Sequence, residues 1–273
     1  MAFDTLPDDV AEALGRAEPQ LGSFARLRYQ SEVASTNDLA LALALAGEPE
    51  GTSVLADRQT SGRGRRGREW FSPADAGLYL SIVMRPRHAS RSLSLLTLGA
   101  GVAVAAAIER ACGLPVELKW PNDVMIGRPW RKLGGVLSEA ASAGDRVEAV
   151  VVGIGINLRQ VRYPRAIADR ATAIETELGR PIDRAPLVIE LLGRMRQAIG
   201  WLHAGDTEAV RQAWRRTGAA GLAGSAVRWQ QGAATVRGRA RDIDADGALL
   251  VDVGGRLERI VSGEVLWESL GGE

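Results

Sequence analysis

The pattern of hydrophobic residues changes near residue 222, and this change constrains the fold more than any other feature. Before it, apolar strands at 77–86 and 146–158 are mixed with helical segments at 92–112 and 167–217. After it, short strands are separated only by glycine and aspartate turns, a pattern typical of a small β-barrel. The first part lacks a steady strand–helix alternation, which favours an α+β fold with a mixed sheet over a doubly wound fold. We therefore predict two domains, residues 1–222 and residues 223–273.

The remaining elements of the first domain follow from local signals. Ser35 or Thr36 is expected to cap a helix that ends at Gly47. Pro181 and Pro186 are expected to break the helical region that starts near 167. Three closely spaced glycines predict a linker between the domains. They are Gly218, Gly221 and Gly224. Further strands are predicted at 24–33, 52–56, 116–120 and 132–140.

Composition excludes several classes of protein. The chain has 273 residues and a net charge of +1, so bulk electrostatics give no reason to expect nucleic-acid binding. Its one cysteine, Cys112, excludes an intrachain disulfide and fits a reducing compartment. The N-terminus lacks the basic and apolar regions of a signal peptide. The longest apolar run, 93–108, is interrupted by polar residues and glycines, so we expect a cytoplasmic protein without a membrane span.

Lysine and asparagine are scarce, and their positions are informative. Of 34 basic residues only Lys119 and Lys132 are lysines, and the three asparagines are Asn37, Asn122 and Asn157. A coding bias that favours arginine over lysine and disfavours asparagine explains why both residues are scarce, but not where the remaining ones lie. A position that needs a compact ammonium cannot use arginine. We therefore treat these five residues as candidate site residues.

The densest basic cluster is the glycine–arginine loop, defined here as residues 62–70 (GRGRRGREW). Its glycines allow close approach of the backbone to a ligand, and its arginines suit carboxylates and phosphates. A phosphate-binding P-loop is excluded because Arg68 and Glu69 replace the required Lys and Ser/Thr. A nucleic-acid arm, a loop that closes over a small anion, and a solvated loop remain open. Repulsion among the arginines predicts a loop that is mobile until an anion neutralises it.

Three further segments carry candidate residues. In 119–123 (KWPND) the proline forces a turn after a strand, which presents short polar side chains. In 131–137 (RKLGGVL) a lysine at a strand start lies beside two glycines, where a ligand could pack against the backbone. The segment 153–158 (GIGINL) lacks the third glycine of a dinucleotide fingerprint and is predicted to be a buried strand. No residues have metal-ligand spacing.

Taken in order, these segments resemble the motifs of the biotin–protein ligases. The resemblance covers residues 31–160 and extends more loosely to the C-terminus. It rests on 35–37 (STN), 56–73, 78–83, 119–123, 131–137 and 151–158. It implies a catalytic domain related to class II aminoacyl-tRNA synthetases, followed by an SH3-like barrel. It also implies a two-step reaction, in which biotin and MgATP give biotinyl-5′-AMP and a lysine of a biotin carboxyl carrier domain then takes the biotinyl group.

Site residues are carried over by motif position. Biotin contacts are implied for Ser35, Thr36, Asn37, Gln59, Arg63, Gly64, Arg65, Lys132 and Gly135. Contacts with ATP or the adenylate are implied for Arg63, Arg65, Trp70, Asn122, Asp123, Lys132 and Asn157. Catalytic roles are implied for Lys132, Arg65 and Lys119, and Asp123 is the candidate for contact with Mg²⁺. Arg159, Arg162 and Arg165 are further candidates in the segment after Asn157.

The resemblance also has limits. The STN motif begins at residue 35, which leaves no room for the DNA-binding domain of the repressor type, so we expect the monofunctional type and no DNA partner. Glu268 stands where a basic residue is expected, which puts nucleotide contacts from the barrel in doubt. A homodimer is expected by analogy alone. The alternatives are a lipoate–protein ligase and a nucleic-acid-binding module that uses the basic loop.

Overall fold

A seven-stranded mixed sheet forms the centre of the larger unit. The computed structural model describes residues 2–85, 92–143, 146–222, 224–232 and 234–268. The strands of the sheet are β1 (Leu27–Val33), β2 (Ser53–Gln59), β3 (Gly77–Met84), β4 (Glu117–Lys119), β5 (Asp123–Ile126), β6 (Arg131–Ala143) and β7 (Arg146–Asn157). Their order is β1-β2-β3-β7-β6-β5-β4, and only β1 and β2 pair in parallel. The predicted α+β class is confirmed.

Helices cover both faces of this sheet. They are α1 (Asp8–Leu21), α2 (Thr36–Leu45), α3 (Ser92–Cys112), α4 (Ile174–Leu178), α5 (Arg184–His203) and α6 (Thr207–Leu222). Side chains alternate between the faces of a strand, so Val150 and Val152 join the main core with α3 and α5, whereas Val151 packs with α2. Helix α2 covers only part of its face, and the rest of that face is free to form a cavity.

Helix α3 is the apolar centre of the main core. By length and composition its residues Leu93–Cys112 could cross a membrane, which differs from our expectation that no run was long enough. Most of these residues are buried inside the protein, where α3 packs on α5 and α6. A helix that is apolar on all sides and enclosed by other elements is typical of a protein core.

The C-terminal unit is a five-stranded antiparallel sheet. Its strands are β8 (Ala226–Gln231), β9 (Ala234–Ile243), β10 (Leu249–Val253), β11 (Arg256–Ile260) and β12 (Val265–Trp267), in the order β11-β10-β9-β8-β12. The predicted series of short strands is confirmed. The unit is joined to the larger one by a hydrogen bond from Trp120 Nε1 to the Gly247 carbonyl at 3.0 Å. A bidentate pair of Arg215 with Asp242, at 2.7 and 2.8 Å, adds to this contact.

Several local predictions were wrong. Gly218 and Gly221 lie inside α6 rather than in a linker, and a side chain at Gly218 would collide with the Trp214 ring. Pro186 lies in the first turn of α5, where a missing N–H costs nothing, so it does not break the helix. Residues 167–173 are not helical, since α4 begins at Ile174. The last residue of the strand predicted at 77–86 lies outside the described residues, and the predicted domain boundary at 222/223 stays a prediction.

Candidate active site

The exposed part of the α2 face opens into a cavity of about 900 Å³. Its walls are the sheet, the glycine–arginine loop, the 158–173 loop and the C-terminal unit. The structure brings to this one cavity every residue to which the motifs assigned a biotin, ATP or catalytic role. They are Ser35, Thr36, Asn37, Gln59, Arg63, Gly64, Arg65, Trp70, Lys119, Asn122, Asp123, Lys132, Gly135 and Asn157. Segments that are far apart in sequence therefore form one site.

One end of the cavity is lined by polar side chains at the start of α2. Ser35 occupies the N-cap position, although its hydroxyl does not cap the helix. The Gln59 oxygen accepts hydrogen bonds from the Thr36 backbone N–H at 2.9 Å and from its hydroxyl at 3.0 Å. The Gln59 nitrogen donates to the Ser72 hydroxyl at 2.9 Å. These groups hydrogen-bond one another, and their remaining donor and acceptor positions can serve a ligand that offers both acceptors and donors.

Glycines on the central strands leave the middle of the cavity without side chains. Gly135 of β6 pairs directly with Gly155 of β7. A methyl group on Gly155 would lie 2.5 Å from Trp70 Nε1, so the indole packs on the bare backbone of β7. A methyl group on Gly153 would overlap the Asn37 side chain. The glycines thus create the room in which the indole, the amide and a ligand can lie against the sheet.

Two arginines of the loop are held by different partners. The Arg63 guanidinium binds both oxygens of Asp38, at 2.6 and 2.7 Å, and lies 3.3 Å from Glu139. Its hydrogen bond holds the pKa of Asp38 below its usual range. Arg65 reaches the Asn122 oxygen at 3.4 Å, and burial lowers the pKa of its guanidinium. Arg63 is therefore engaged with the protein, whereas Arg65 has no carboxylate partner within the described residues.

The other two arginines of the loop reach the C-terminal unit. Arg68 pairs with Glu264 at 2.5 Å, and Arg66 lies 3.5 Å from the same carboxylate. Arg66 adopts a left-handed backbone conformation with φ of 61°, and Gly67 follows with φ of 71°. These two residues form the tip of the loop. Three of the four arginines have carboxylate partners from distant segments, which offset their mutual repulsion, and the predicted mobility of the loop stays a prediction.

Lys132 lies between the two ends of the cavity. Its ammonium is 2.5 Å from Asp123 Oδ1 and 5.4 Å from the centre of the Trp70 ring. Its side chain runs beside Gly135, where an added methyl group would be 3.4 Å from the Lys132 Cε. The backbone of Lys132 is bound on both sides by the 158–173 loop, through the Arg170 carbonyl at 2.6 Å and the Thr172 N–H at 3.0 Å. Its position is therefore fixed by tertiary contacts.

The end of the cavity beyond Lys132 is cationic. Lys119 is half-buried at the end of β4, and burial is the main reason why its pKa is lowered. The charges of Lys132 and Arg170 lower it further, while Asp123 and Glu264 oppose this effect. Within the described residues no carboxylate pairs with Lys119 or Arg170. An anion at this end would be stabilised by at least these two charges.

The 158–173 loop supplies cavity residues that the sequence did not reveal. Tyr163, Ile167 and Arg170 line the cavity, whereas the candidates Arg159, Arg162 and Arg165 are not among its lining residues. The loop is anchored by the Asn157 amide, which donates to the Thr172 carbonyl at 2.8 Å, and by the Tyr163 hydroxyl. Burial raises the pKa of Tyr163 to about 12, so this hydroxyl stays protonated at neutral pH.

The C-terminal unit also lines the cavity. Trp267 packs edge-to-face on Trp130, with ring centres 6.1 Å apart, and the Arg128 guanidinium stacks on the Trp130 ring at 4.9 Å. Glu268 lines the cavity as well, and it lies 3.4 Å from Arg237 and 3.8 Å from Arg228. Sequence reasoning missed Arg128, Trp130 and Trp267. Trp130 lies in a hairpin turn, and this was the one signal in the sequence, because so large an apolar ring usually packs against another group.

A protein-held metal site is not formed by these residues. Within the described ranges no group of three or more histidine, cysteine or acidic side chains could hold an ion. The Asp123 carboxylate is paired with Lys132, and the Asn122 oxygen is bound by Arg65. A single carboxylate fits a magnesium ion that arrives with nucleotide phosphates, because such ions use few protein ligands.

Two protein families match the chain, one for each unit. Residues 30–157 match the biotin/lipoate A/B protein ligase family, and residues 223–266 match the biotin protein ligase C-terminal domain. The first match runs from β1 to the end of β7, and these strands with their loops carry most of the cavity residues. The second covers the small antiparallel unit.

Individual relatives agree with these matches. The biotin–[acetyl-CoA-carboxylase] ligase of Paracoccus denitrificans is 34% identical over 80% of this chain and 90% of its own length. The bifunctional ligase/repressor BirA of Bacillus spizizenii is 35% identical over 88% of this chain and 73% of its own. The biotin protein ligase of Aquifex aeolicus, solved with biotin and ATP, superposes with a TM-score of 0.77 at 31% identity, over 89% of this chain and 98% of its own. The chain therefore belongs to the biotin/lipoate A/B protein ligase family, as an enzyme of the biotin protein ligase type.

Proposed function

We propose that this enzyme activates biotin with ATP and transfers the biotinyl group to a lysine of a biotin carboxyl carrier domain. The observation that carries the proposal is the single cavity with a polar end, a cationic end and Lys132 between them. Biotin has a ureido ring at one end and a carboxylate at the other. The ureido ring would lie at the polar end near Thr36 and Gln59, and the carboxylate would reach Lys132.

The first step joins two anions, and Lys132 is placed to reduce their repulsion. A carboxylate oxygen of biotin attacks the α-phosphorus of MgATP, an O–P bond forms, and the bond to pyrophosphate breaks. The Lys132 ammonium would contact both the carboxylate and the α-phosphate, and each charge-assisted contact contributes about 1.5–3 kcal/mol. Lys119, Arg65 and Arg170 would stabilise the phosphates from the cationic end. Mg²⁺ would arrive with the nucleotide, and Asp123 is the carboxylate that would hold it beside the phosphates.

The second step needs a neutral amine. The acceptor lysine attacks the acyl carbon, its excess proton is released, and AMP leaves with the electrons of the broken C–O bond. The positive charges that lower the pKa of Lys119 also favour the neutral form of an incoming ammonium. The same cationic end would therefore serve phosphate binding first and amine activation later.

Lipoate is the second candidate substrate, because the family includes lipoate ligases. Its dithiolane ring offers no hydrogen-bond donor or strong acceptor to Thr36, Asn37 and Gln59. These side chains already hydrogen-bond one another and their neighbours, so the ring leaves none of them unpaired, but it gains no hydrogen bond from them, whereas a ureido ring can use their remaining donors and acceptors. A nucleic-acid arm is not supported by the geometry either, because the arginines of the glycine–arginine loop line the cavity and three of them pair with carboxylates.

The test is ATP–pyrophosphate exchange with biotin and with lipoate, followed by transfer to a purified carrier domain. We expect exchange with biotin, little with lipoate, and labelling of one carrier lysine. Absence of biotin-dependent exchange above background would refute the proposal. Salt-sensitive DNA binding without ligand would instead favour the nucleic-acid alternative.

We also propose a cytoplasmic location, supported by the one buried thiol of Cys112, and a homodimer, which rests on family analogy.

A further inference from the structure

We propose that Glu139 is a positioning residue that couples the floor of the biotin pocket to the glycine–arginine loop above it. The carboxylate lies on β6, and its Oε2 atom accepts hydrogen bonds from both the Asn37 amide nitrogen and the Arg63 Nη2 group. We use floor for the hydrogen-bonded group of Thr36, Asn37 and Ser81, and Arg63 belongs to the glycine–arginine loop. Through Glu139 the loop is held in its closed position only when the floor has its correct hydrogen bonds. The inference rests on the proposed function, since it assigns biotin to this pocket.

The floor fixes the orientation of the Asn37 amide. Ser81 is fully buried on β3, and its hydroxyl lies 2.6 Å from Asn37 Oδ1 and 2.7 Å from Thr36 Oγ1. An amide oxygen can only accept, so Ser81 donates to Asn37. The amide nitrogen must then point away from Ser81. It donates to Glu139 Oε2 at 2.5 Å and reaches the Leu137 carbonyl at 3.4 Å.

Neighbouring backbone leaves little freedom for this arrangement. Glu139 and Leu137 lie opposite Val151 and Gly153 of β7. Because Gly153 has no side chain, the Asn37 amide occupies the space directly above it. The amide is therefore enclosed by β3, β6 and β7, and Glu139 is the one carboxylate that it contacts within the described residues.

Two carboxylates, those of Asp38 and Glu139, bind the loop through the guanidinium of Arg63. Asp38, which follows Asn37 in α2, binds Arg63 in a bidentate pair, and Glu139 binds the Nη2 group of Arg63 from β6 at 3.3 Å. A bidentate pair fixes direction as well as distance. The donors of Arg63 are largely used by these contacts. Its role is then to fasten the loop, so that Gly62 and Gly64 present their backbone over the pocket.

The polarity of this network provides a sharp test, because Glu139 accepts from both neighbours. In Glu139→Gln the new NH2 group replaces one of the two carboxylate oxygens, and in either position it faces the Arg63 Nη2 donor, at 3.5 or 3.3 Å, so the charge-assisted contact with Arg63 is lost. We expect the Kd of biotin, measured by calorimetry without ATP, to rise about tenfold, as for the loss of one charge-assisted hydrogen bond. Limited trypsin digestion without ligand should cleave faster after the arginines at 63–68. Glu32→Gln, which neutralises an exposed carboxylate paired with Arg58 at 2.7 Å, is the matched control.

A polarity swap provides the second arm of the test. In the double variant Asn37→Asp with Glu139→Gln, the carboxylate introduced in α2 accepts from Ser81 and from the new amide nitrogen on β6. The new amide oxygen then accepts from Arg63. We expect tryptic cleavage of the loop to return toward the wild-type rate.

Two results would overturn the inference. One is that Glu139→Gln binds biotin and is cleaved like the wild type, and the other is that the double variant is cleaved as fast as the single one. If wild type itself does not bind biotin, the proposed function fails, and the cleavage data still decide the coupling of floor and loop.

Discussion

Replacing Lys132 by arginine separates the need for charge from the need for a compact ammonium. The side chain runs beside Gly135 and ends 2.5 Å from Asp123 and 5.4 Å from the Trp70 ring. An arginine keeps the charge and can still pair with Asp123. Its head is longer and planar, so it cannot place a point charge between a carboxylate and a phosphate in the same space. We therefore expect Lys132→Arg to lose one of the two contacts proposed for the transition state.

The expected size follows from the value of one such contact. A loss of about 1.5–3 kcal/mol corresponds to a decrease of about 10- to 150-fold in the kcat/KM of biotin-dependent ATP–pyrophosphate exchange. Lys132→Met loses both contacts and is expected to be slower still. The matched control is Arg131→Lys, since Arg131 pairs with Glu177 at 3.0 Å and is not among the cavity-lining residues. We expect a loss of at least about tenfold in this kcat/KM. A value for Lys132→Arg within about twofold of wild type would contradict the reasoning.

Three further predictions concern closure of the cavity. Arg65→Gly removes the contact with Asn122, so more acyl-adenylate should escape from the cavity and label bystander lysines. If the variant releases no more acyl-adenylate into a filtrate than the wild type, Arg65 does not retain the adenylate. Gly155→Ala places a methyl group 2.5 Å from the Trp70 indole, so the ring must move at a cost of about 1–3 kcal/mol, which should appear as altered tryptophan fluorescence and weaker adenylate binding. Glu264→Gln breaks the pair with Arg68 and should raise the KM for ATP by up to about fivefold, an effect that high salt should remove. Because Arg68 holds the pKa of Glu264 below its usual range, the pair persists at neutral pH and is lost only as the pH falls through that lowered value; convergence of variant and wild type already near neutral pH would argue against it.

The sequence could predict most of the site because its residues are concentrated in short motifs. The scarcity of lysine pointed to Lys119 and Lys132, and both line the cavity. Glycines beside Lys132 predicted an open surface on the sheet, which agrees with the Gly135–Gly155 pair. These predictions rest on local chemistry, where the required residue type is visible in one or two neighbouring positions.

The sequence could not predict contacts between distant segments. Arg68 and Glu264 are 196 positions apart, so nothing near the loop indicates that its charge is neutralised. The cavity residues of the 158–173 loop, Tyr163, Ile167 and Arg170, were missed because the loop is placed by bonds to the backbone of Lys132, and backbone bonds leave no sequence signal. The linker prediction at Gly218 was wrong because its space is filled by Trp214, whose ring orientation depends on tertiary packing.

The cross-strand pair of Gly135 and Gly155 limits how substrate range can change. Neither residue has a side chain, so the Trp70 indole packs directly on Gly155, and the space beside Gly135 and Lys132 is left for a ligand. Substitution at either position can only add atoms, so variation there narrows the choice of ligand and cannot widen it. Engineering toward bulkier analogues of the natural substrate would have to reduce a neighbouring side chain, such as the Trp70 indole that lies on Gly155.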